Sequence, residues 1–360
     1  MTSLRATLKS ATALAAFTLS FPMASWAEEP IPVVATFSIL GDMVKRIGGE
    51  HIALTTLVGP DGDTHVYQPT PKAARSVAEA DVLFLNGLDF EGWLERLAEA
   101  ASFDGTMVVA TNGVVPIAFD DHDDHDDEKH DDHDDHDDHD DHDDEKHDDH
   151  DDHDDHDDHD DEKHDDHDDR DDHDDHDDHA GHDHGAFDPH AWQSLENAVI
   201  YANNIAAGLA QADPENAGDY YTNRAAFVAE VEVLKSEVDA MMKNLPSDKR
   251  TVVTAHDAFG YFGATYDLTF VAPQGIGTDS EVSAGDLAAL ITQIREESIS
   301  AVFIESLTDN RMIEQIANET GATIGGMLYA GALSAQSGPA SNYLDMMRHN
   351  ATTLFEALGN

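Results

Sequence analysis

The chain contains no cysteine. No disulfide can hold its fold, and no thiol is available for lipid attachment. Positive charge is scarce: 19 Lys and Arg stand against 76 Asp and Glu in 360 residues, a formal net charge of −57. With an acidic stretch of −36 and a leader of +2 set aside, the remainder still carries −23. That balance argues against nucleic-acid binding and against docking on anionic lipid. Long apolar runs are missing as well. The best, at 11–19, is too short to span a bilayer and is broken off by Pro22. Signatures of catalysis are also lacking, with no His-Glu-x-x-His helix, nucleophile elbow or Gly-rich phosphate loop.

What is present in excess is a single biased tract. Residues 120–184 collapse into the repeat His-Asp-Asp and hold 19 of the 24 histidines with 37 Asp, 3 Glu, 3 Lys and 1 Arg. A 17-residue unit recurs, marked by Glu-Lys-His at Glu128, Glu145 and Glu162. With no apolar residue before Ala180, the tract cannot bury enough surface to offset its ordering entropy, so it is expected to be disordered. An acidic spacer needs only charge; a histidine at nearly every third position supplies the imidazole and carboxylate ligands of zinc and its neighbours. The expected weak metal sites are His122, His125, His130, His133, His136, His139, His142, His147, His150, His153, His156, His159, His164, His167, His173, His176, His179, His182 and His184.

The first 27 residues read as a secretory signal peptide: Arg5 and Lys9, the apolar 11–19 segment, then Ser25-Trp26-Ala27 as a small-x-small cleavage site. A periplasmic protein without membrane insertion is expected.

Outside the tract, strand-type and helix-type patterns alternate. Strands are expected at 31–36, 52–58, 81–85 and 107–110, with helices from 39 to 48, 71 to 80 and 90 to 100. Beyond the tract, a helix at 195–212 precedes a longer one from Pro214 to about 244. A second series has strands at 251–255, 268–271, 301–304 and 322–328, with helices around 287–294, 311–320 and 340–358. The fold class expected is α/β, with two lobes, each a mostly parallel sheet flanked by helices, joined by a long rigid helix. The domains follow: an N-terminal lobe from 28–119 and 185–213, the insertion 120–184, a linking helix 214–244 and a C-terminal lobe 245–360.

Only five histidines lie outside the tract. His51 at a Gly-Gly turn and His349 in the last helix are expected at the solvated surface. His65 lies in a Gly/Pro-punctuated loop after a strand, His256 directly after the strand at 251–255, and His190 in Asp-Pro-His-Ala-Trp. Strand ends and the loops after them are where open sheets place ligand residues. Singly each is an ordinary histidine; together, flanking a zinc-type tract, they are candidate ligands.

Three segments carry a resemblance: Gly59-Pro-Asp-Gly-Asp-Thr-His65-Val-Tyr67-Gln-Pro69, Asp188-Pro189-His190-Ala-Trp192 and His256-Asp-Ala-Phe-Gly-Tyr261-Phe262. Two more, Gly277-Thr-Asp-Ser-Glu281-x-Ser283 and Glu305-Ser306 with Arg311 and Ala317-x-Glu319-Thr-Gly321, are similar to the C-lobe signature of the same family. The whole resembles the periplasmic metal-binding proteins of ABC transporters, and the His/Asp-rich insertion resembles their zinc branch, the ZnuA type. The resemblance implies a metal held between two lobes by His65 and His190 from one and His256 from the other. Manganese-binding relatives typically place a carboxylate at the third position, so His256 favours zinc. The fourth position departs from the pattern: Gly331 stands where many relatives have an aspartate, and Thr64 where some zinc members have a glutamate. The fourth ligand is left open among water and the carboxylates Asp63, Asp279 and Glu281.

The resemblance therefore implies a monomeric, non-enzymatic carrier that captures Zn²⁺ and delivers it to a membrane permease, with the tract as a weaker scavenger or sensor. A periplasmic zinc buffer without a transport role is the alternative. A manganese- or iron-binding relative and a zinc hydrolase stand behind it, the last because three histidines and a water also make a hydrolytic site.

Overall fold

The computed structural model describes residues 29–119, 186–278 and 282–359. The leader, the 19 histidines of the insertion, and Asp279 and Glu281 lie outside the described residues, and so do the expectations placed on them.

The first sheet comprises β1 (Ile31–Phe37), β2 (Ile52–Val58), β3 (Val82–Leu85) and β4 (Thr106–Val109) in the order β2-β1-β3-β4. All pairings are parallel, with Val33 opposite Leu54 on one side and Val82 on the other. Parallel neighbours require crossovers, supplied by α1 (Ser38–Gly48), α2 (Pro71–Ala78) and α3 (Leu94–Ala101). Covered on both faces, β1 reads as a continuous apolar run with Val33, Val34, Ala35 and Phe37 all buried.

The second sheet repeats the scheme with β5 (Thr251–Val253), β6 (Thr269–Val271), β7 (Ala301–Glu305) and β8 (Thr323–Leu328), ordered β6-β5-β7-β8 and again parallel. Its helices are α6 (Gly260–Tyr266), α7 (Ala284–Glu296), α8 (Arg311–Thr320) and α9 (Tyr343–Leu358). The period of two along a strand divides its side chains between two apolar layers. Val253 and Val302 join Leu290, Ile294, Ile313 and Ile316 under α7 and α8, while Val252 and Phe303 face the main core with α9.

Between the sheets run α4 (Leu195–Ala212) and α5 (Ala217–Lys243). Helix α5 has 27 residues, about 40 Å at roughly 1.5 Å per residue. Its buried stripe of Tyr220, Phe227, Val231, Leu234, Val238 and Met242 packs on α1 and α4 of the first lobe and on α6 and α9 of the second. One apolar cluster therefore runs through both lobes along α5.

Local signals set several of the boundaries. Ser194 caps α4 by accepting from Asn197 N, Asn342 caps α9 through Asp345 N, and Gly321 ends α8 in the left-handed conformation at φ 80°. Two helix starts and one additional helix depart from the sequence expectation for local reasons. The helix expected from residue 90 begins at Leu94, because the Glu91 carboxylate folds back onto the backbone N–H groups of Asn86 and Gly87 and holds 90–93 as a turn. The helix expected from Pro214 opens with a 3₁₀ turn, Pro214–Asn216, around an Asp213 side chain that accepts from Asn216 Nδ2 and Tyr220 OH. Helix α6 was not anticipated, being short and rich in glycine and aromatics.

Candidate metal centre

Both sheets present the ends of their strands to one another. His65 lies in the loop after β2, whose shape is locked from several sides. Its backbone N–H donates to Asp63 Oδ1 at 2.9 Å, the preceding Thr64 carbonyl accepts from Trp93 Nε1 at 3.0 Å, and Tyr67 packs on the Trp93 ring. Asp61, in the left-handed region at φ 56°, turns this loop toward the second lobe and donates its N–H to the Leu333 carbonyl at 2.9 Å.

His190 follows the insertion. The described ends of the chain on either side of it are held together, Phe119 N–H donating to Ala186 O and Asp188 N–H to Ile117 O, each at 3.0 Å. Asn86 Nδ2 donates to the Pro189 carbonyl at 2.9 Å, while Asn86 Oδ1 accepts from Tyr201 OH. After His190, Trp192 Nε1 and Gln193 Nε2 each donate to Ala330 O across the lobes at 2.9 Å. Tyr261 OH on α6 donates to the Asp188 carbonyl at 3.0 Å. Gly260 is required at this contact, since a Cβ there would meet Asp188 Oδ2 at 2.6 Å.

His256 stands at the carboxyl end of β5, beside Glu305 at the end of β7. The strand order reverses between these two strands, the place where open α/β sheets build their sites.

The three imidazoles converge. His65 Nε2 and His190 Nε2 are 3.3 Å apart, and ligand atoms of all three residues lie within 4.8 Å of one another. Two nitrogens bound tetrahedrally to one zinc at about 2.0–2.1 Å would be about 3.3–3.4 Å apart, so the first pair already stands at that spacing. The ring centroids form a near-equilateral triangle with sides of 5.4, 5.5 and 5.9 Å. His190 is fully buried, His256 nearly so and His65 half-buried, which gives the site one open side. The Phe90 ring makes T-shaped contacts with both His65 and His190, and the Trp192 ring centroid lies 5.2 Å from that of His190.

A carboxylate orients each of the two buried rings, the usual arrangement behind metal-ligating histidines. Asp188 Oδ1 accepts from both the backbone N–H and Nδ1–H of His190, each at 2.8 Å, leaving Nε2 to face His65. Glu305 Oε1 accepts from the N–H groups of Ala255 and His256 at 2.7 and 2.9 Å, while Oε2 lies 2.5 Å from His256 Nδ1 as an ion-pair contact. His256 Nε2 is buried without a hydrogen-bond partner among the described residues, a costly state for a free nitrogen and an available one for a metal.

The electrostatics separate the two rings. Burial, with His256 adding to it, holds the His190 pKa well below the usual histidine value, so this ring is neutral. Burial pushes His256 down too, but the Glu305 carboxylate, with Asp63 and Asp257, outweighs it and holds the pKa above the usual value. Asp188 is pushed up to about 7 by burial, opposed by the His190 N–H and the charge of His256.

Of the candidate fourth ligands, Asp63 has both oxygens engaged, by His65 N–H and by Thr278 Oγ1–H at 2.6 Å. The Gly331 backbone leaves room for a side chain, a Cβ there meeting only Leu307 Cδ1 at 3.5 Å. Thr64 is buried; its carbonyl accepts from Trp93 Nε1, and its hydroxyl has no hydrogen-bond partner among the described residues. The other two histidines are corrected. His51 is not simply solvated: Nε2 pairs with Asp219 at 2.9 Å and the ring lies on Tyr220 of α5. His349 is half-buried, Nε2 bonded to Met327 O at 3.0 Å, and ties α9 to β8. Both are structural. Sequence reasoning did not assign roles to Asp188 and Glu305, although an acid two residues before one ligand and an acid closing the strand beside another are the available signals.

The chain is similar to known metal-binding proteins. A family model described as zinc-uptake complex component A, periplasmic, matches residues 33–357. The manganese-binding lipoprotein MntA of Halalkalibacterium halodurans is 25% identical over 92% of this chain and 89% of its own length. The iron-binding protein YfeA of Yersinia pestis is 26% identical over 91% and 86%. Among solved structures, a manganese-bound S38A variant of a periplasmic metal-binding protein from Candidatus Liberibacter asiaticus superposes with a TM-score of 0.69 at 26% identity, covering 91% of this chain and 98% of that one. The periplasmic zinc-binding protein TroA of Treponema pallidum, at 22% identity, shares the fold with a TM-score of 0.71 over 92% and 100%.

Proposed function

The chain belongs to the zinc-uptake complex component A family of periplasmic proteins, metal-binding substrate-binding components of ABC transporters, and on that footing we propose that its cargo is Zn²⁺. The observation that carries this reading is the all-nitrogen cluster of His65, His190 and His256, which no carboxylate joins among the described residues. Neutral imidazoles suit zinc, whereas manganese is better served by oxygen ligands. The relatives are named for manganese, iron and zinc, so support for zinc comes from the ligand set rather than from kinship.

In this reading the protein is exported by its leader to the periplasm and acts as a single chain. Zn²⁺ enters from the half-buried His65 side and displaces the proton on His256. It is held by three nitrogens with water in the fourth position, and is then handed to a membrane permease. Asp188 keeps His190 in the tautomer whose Nε2 is bare, and Glu305 balances the charge at His256. The protein carries out no catalysis. No helix among the described residues is long and apolar enough to cross a membrane. The insertion supplies weaker sites that scavenge zinc.

The test is a competition titration of chelator-stripped protein with Zn²⁺, Mn²⁺ and Fe²⁺ against a chromophoric chelator, alongside His190→Ala. Tight zinc binding that exceeds manganese by orders of magnitude and disappears in the variant supports the proposal. Manganese binding as tight as zinc would sink it.

A further inference from the structure

Asp63 poses a question that the three histidines do not answer. It lies two residues before His65, and its charge is felt at His256 across the site. A carboxylate so placed would be an attractive fourth ligand for a hard cation, yet the cluster of ligand atoms within 4.8 Å of one another leaves it out. Its oxygens are spoken for: Oδ1 accepts the His65 N–H at 2.9 Å, and Oδ2 accepts the hydroxyl of Thr278 at 2.6 Å. Thr278 comes from the other lobe, on the segment that carries His256. Gln274 pairs with His256 as an isolated parallel bridge, its N–H donates to Ala255 O at 3.2 Å, and its side-chain Nε2 donates to Thr278 O at 3.3 Å. The hydroxyl is therefore anchored to the strand end that also places a ligand.

We propose that Thr278 is a specificity-determining residue: its hydroxyl occupies Asp63 Oδ2, withholds that carboxylate from the metal, and so keeps the protein's ligand set at three imidazoles. This rests on the reading of those imidazoles as the zinc ligands. The chemistry is a choice between ligand classes. Three nitrogens suit zinc, and an added carboxylate oxygen shifts the site toward manganese. Removal of the hydroxyl leaves the Oδ1 bond to His65 N–H in place, so the carboxylate remains beside the site with one oxygen released. Discrimination here comes as much from the ligand denied to the wrong metal as from those offered to the right one.

The experiment measures Zn²⁺ and Mn²⁺ affinities of the full-length, chelator-stripped chain by competition with a tight chromophoric chelator, which reports only the tightest site. The variants are Thr278→Val, Thr278→Ser, Asp63→Ala and the double variant Thr278→Val/Asp63→Ala, with His190→Ala beside them. The expected result is that Thr278→Val narrows the preference for zinc over manganese by about tenfold. Thr278→Ser keeps the wild-type ratio, and the double variant regains it. The visible absorption of the Co²⁺-loaded Thr278→Val protein should weaken, as coordination rises above four. An unchanged metal ratio and cobalt spectrum in Thr278→Val overturn the proposal. Equal losses for both metals also overturn it, because they would make the bond a simple tie between lobes. Retention of zinc binding in His190→Ala would instead overturn the three-imidazole reading itself, so the two failures are distinguishable.

Discussion

Glu305→Gln is the substitution that most directly tests how the buried half of the centre works. The glutamine retains Oε1 as acceptor for the Ala255 and His256 N–H groups, so the local backbone is held. What changes is the group facing His256 Nδ1, now 2.5 Å from a carboxylate oxygen. An amide N–H donates, so Nδ1 must accept, and the proton moves to Nε2, the nitrogen that has to be bare to bind a cation. Partners of this kind behind ligating histidines are worth roughly ten- to a hundredfold in metal affinity. At roughly 1.4 kcal/mol per decade that is about 1.4–2.8 kcal/mol. Glu305 belongs at the upper end, because it is 1% exposed and Nδ1 has no other partner among the described residues. Chelator competition at pH 7.5 reads the affinity, and the thermal midpoint of the metal-free protein checks the fold. A variant that binds zinc as tightly as the parent, with an unchanged midpoint, refutes the argument that Glu305 sets the His256 tautomer.

Three further outcomes follow from the fold. Burial raises the Glu91 pKa from 4.5 to about 7, so the folded protein takes up a proton that the unfolded chain has already lost. Stability from this group is complete below pH 4.5 and falls as pH rises through 7, by on the order of 3 kcal/mol at roughly 1.36 kcal/mol per unit. Urea unfolding of the metal-free protein at pH 5 and pH 7.5 should show that decline, and Glu91→Gln should flatten it; parallel slopes would contradict the assignment. Leu234→Ala, in the fully buried stripe of α5, should cost about 2–5 kcal/mol in denaturant unfolding while zinc affinity at 25 °C is unchanged. Deletion of 120–184 should leave one tight zinc site and abolish the weaker ones, about five to nine ions at two to four ligands each, by calorimetry. Loss of the tight site in that deletion would transfer metal binding to the insertion and favour the buffer reading.

Much of this architecture was legible in sequence because the signals involved are short. Helix α4 begins where Ser194 can cap it and α8 ends where Gly321 can turn left-handed, interactions that span three or four residues. Strand and helix periods likewise repeat within a few positions, and their alternation was enough to indicate two parallel sheets. Boundaries were misjudged where a side chain reached across a turn. Glu91 delays α3, and its hydroxyl partner, Thr36, comes from β1. The partners of His51 and His349 were missed for the same reason, since Asp219 and Met327 are distant in sequence.

Places after strands singled out His65 and His256, and the Asp-Pro-His-Ala-Trp segment singled out His190, while the preference of imidazole for zinc is a property of residue type alone. The arrangement of those rings is not. His65 and His190 are 125 residues apart in sequence and 3.3 Å apart in space, Glu305 reaches His256 from 49 residues away, and Thr278 meets Asp63 across 215. Capping and periodicity act over single turns of chain and carry no information about which loop of one lobe will face which strand end of the other. That pairing arises from packing both lobes along α5. It decides which nitrogens are bare, which carboxylates orient them, and which carboxylate is kept from the metal.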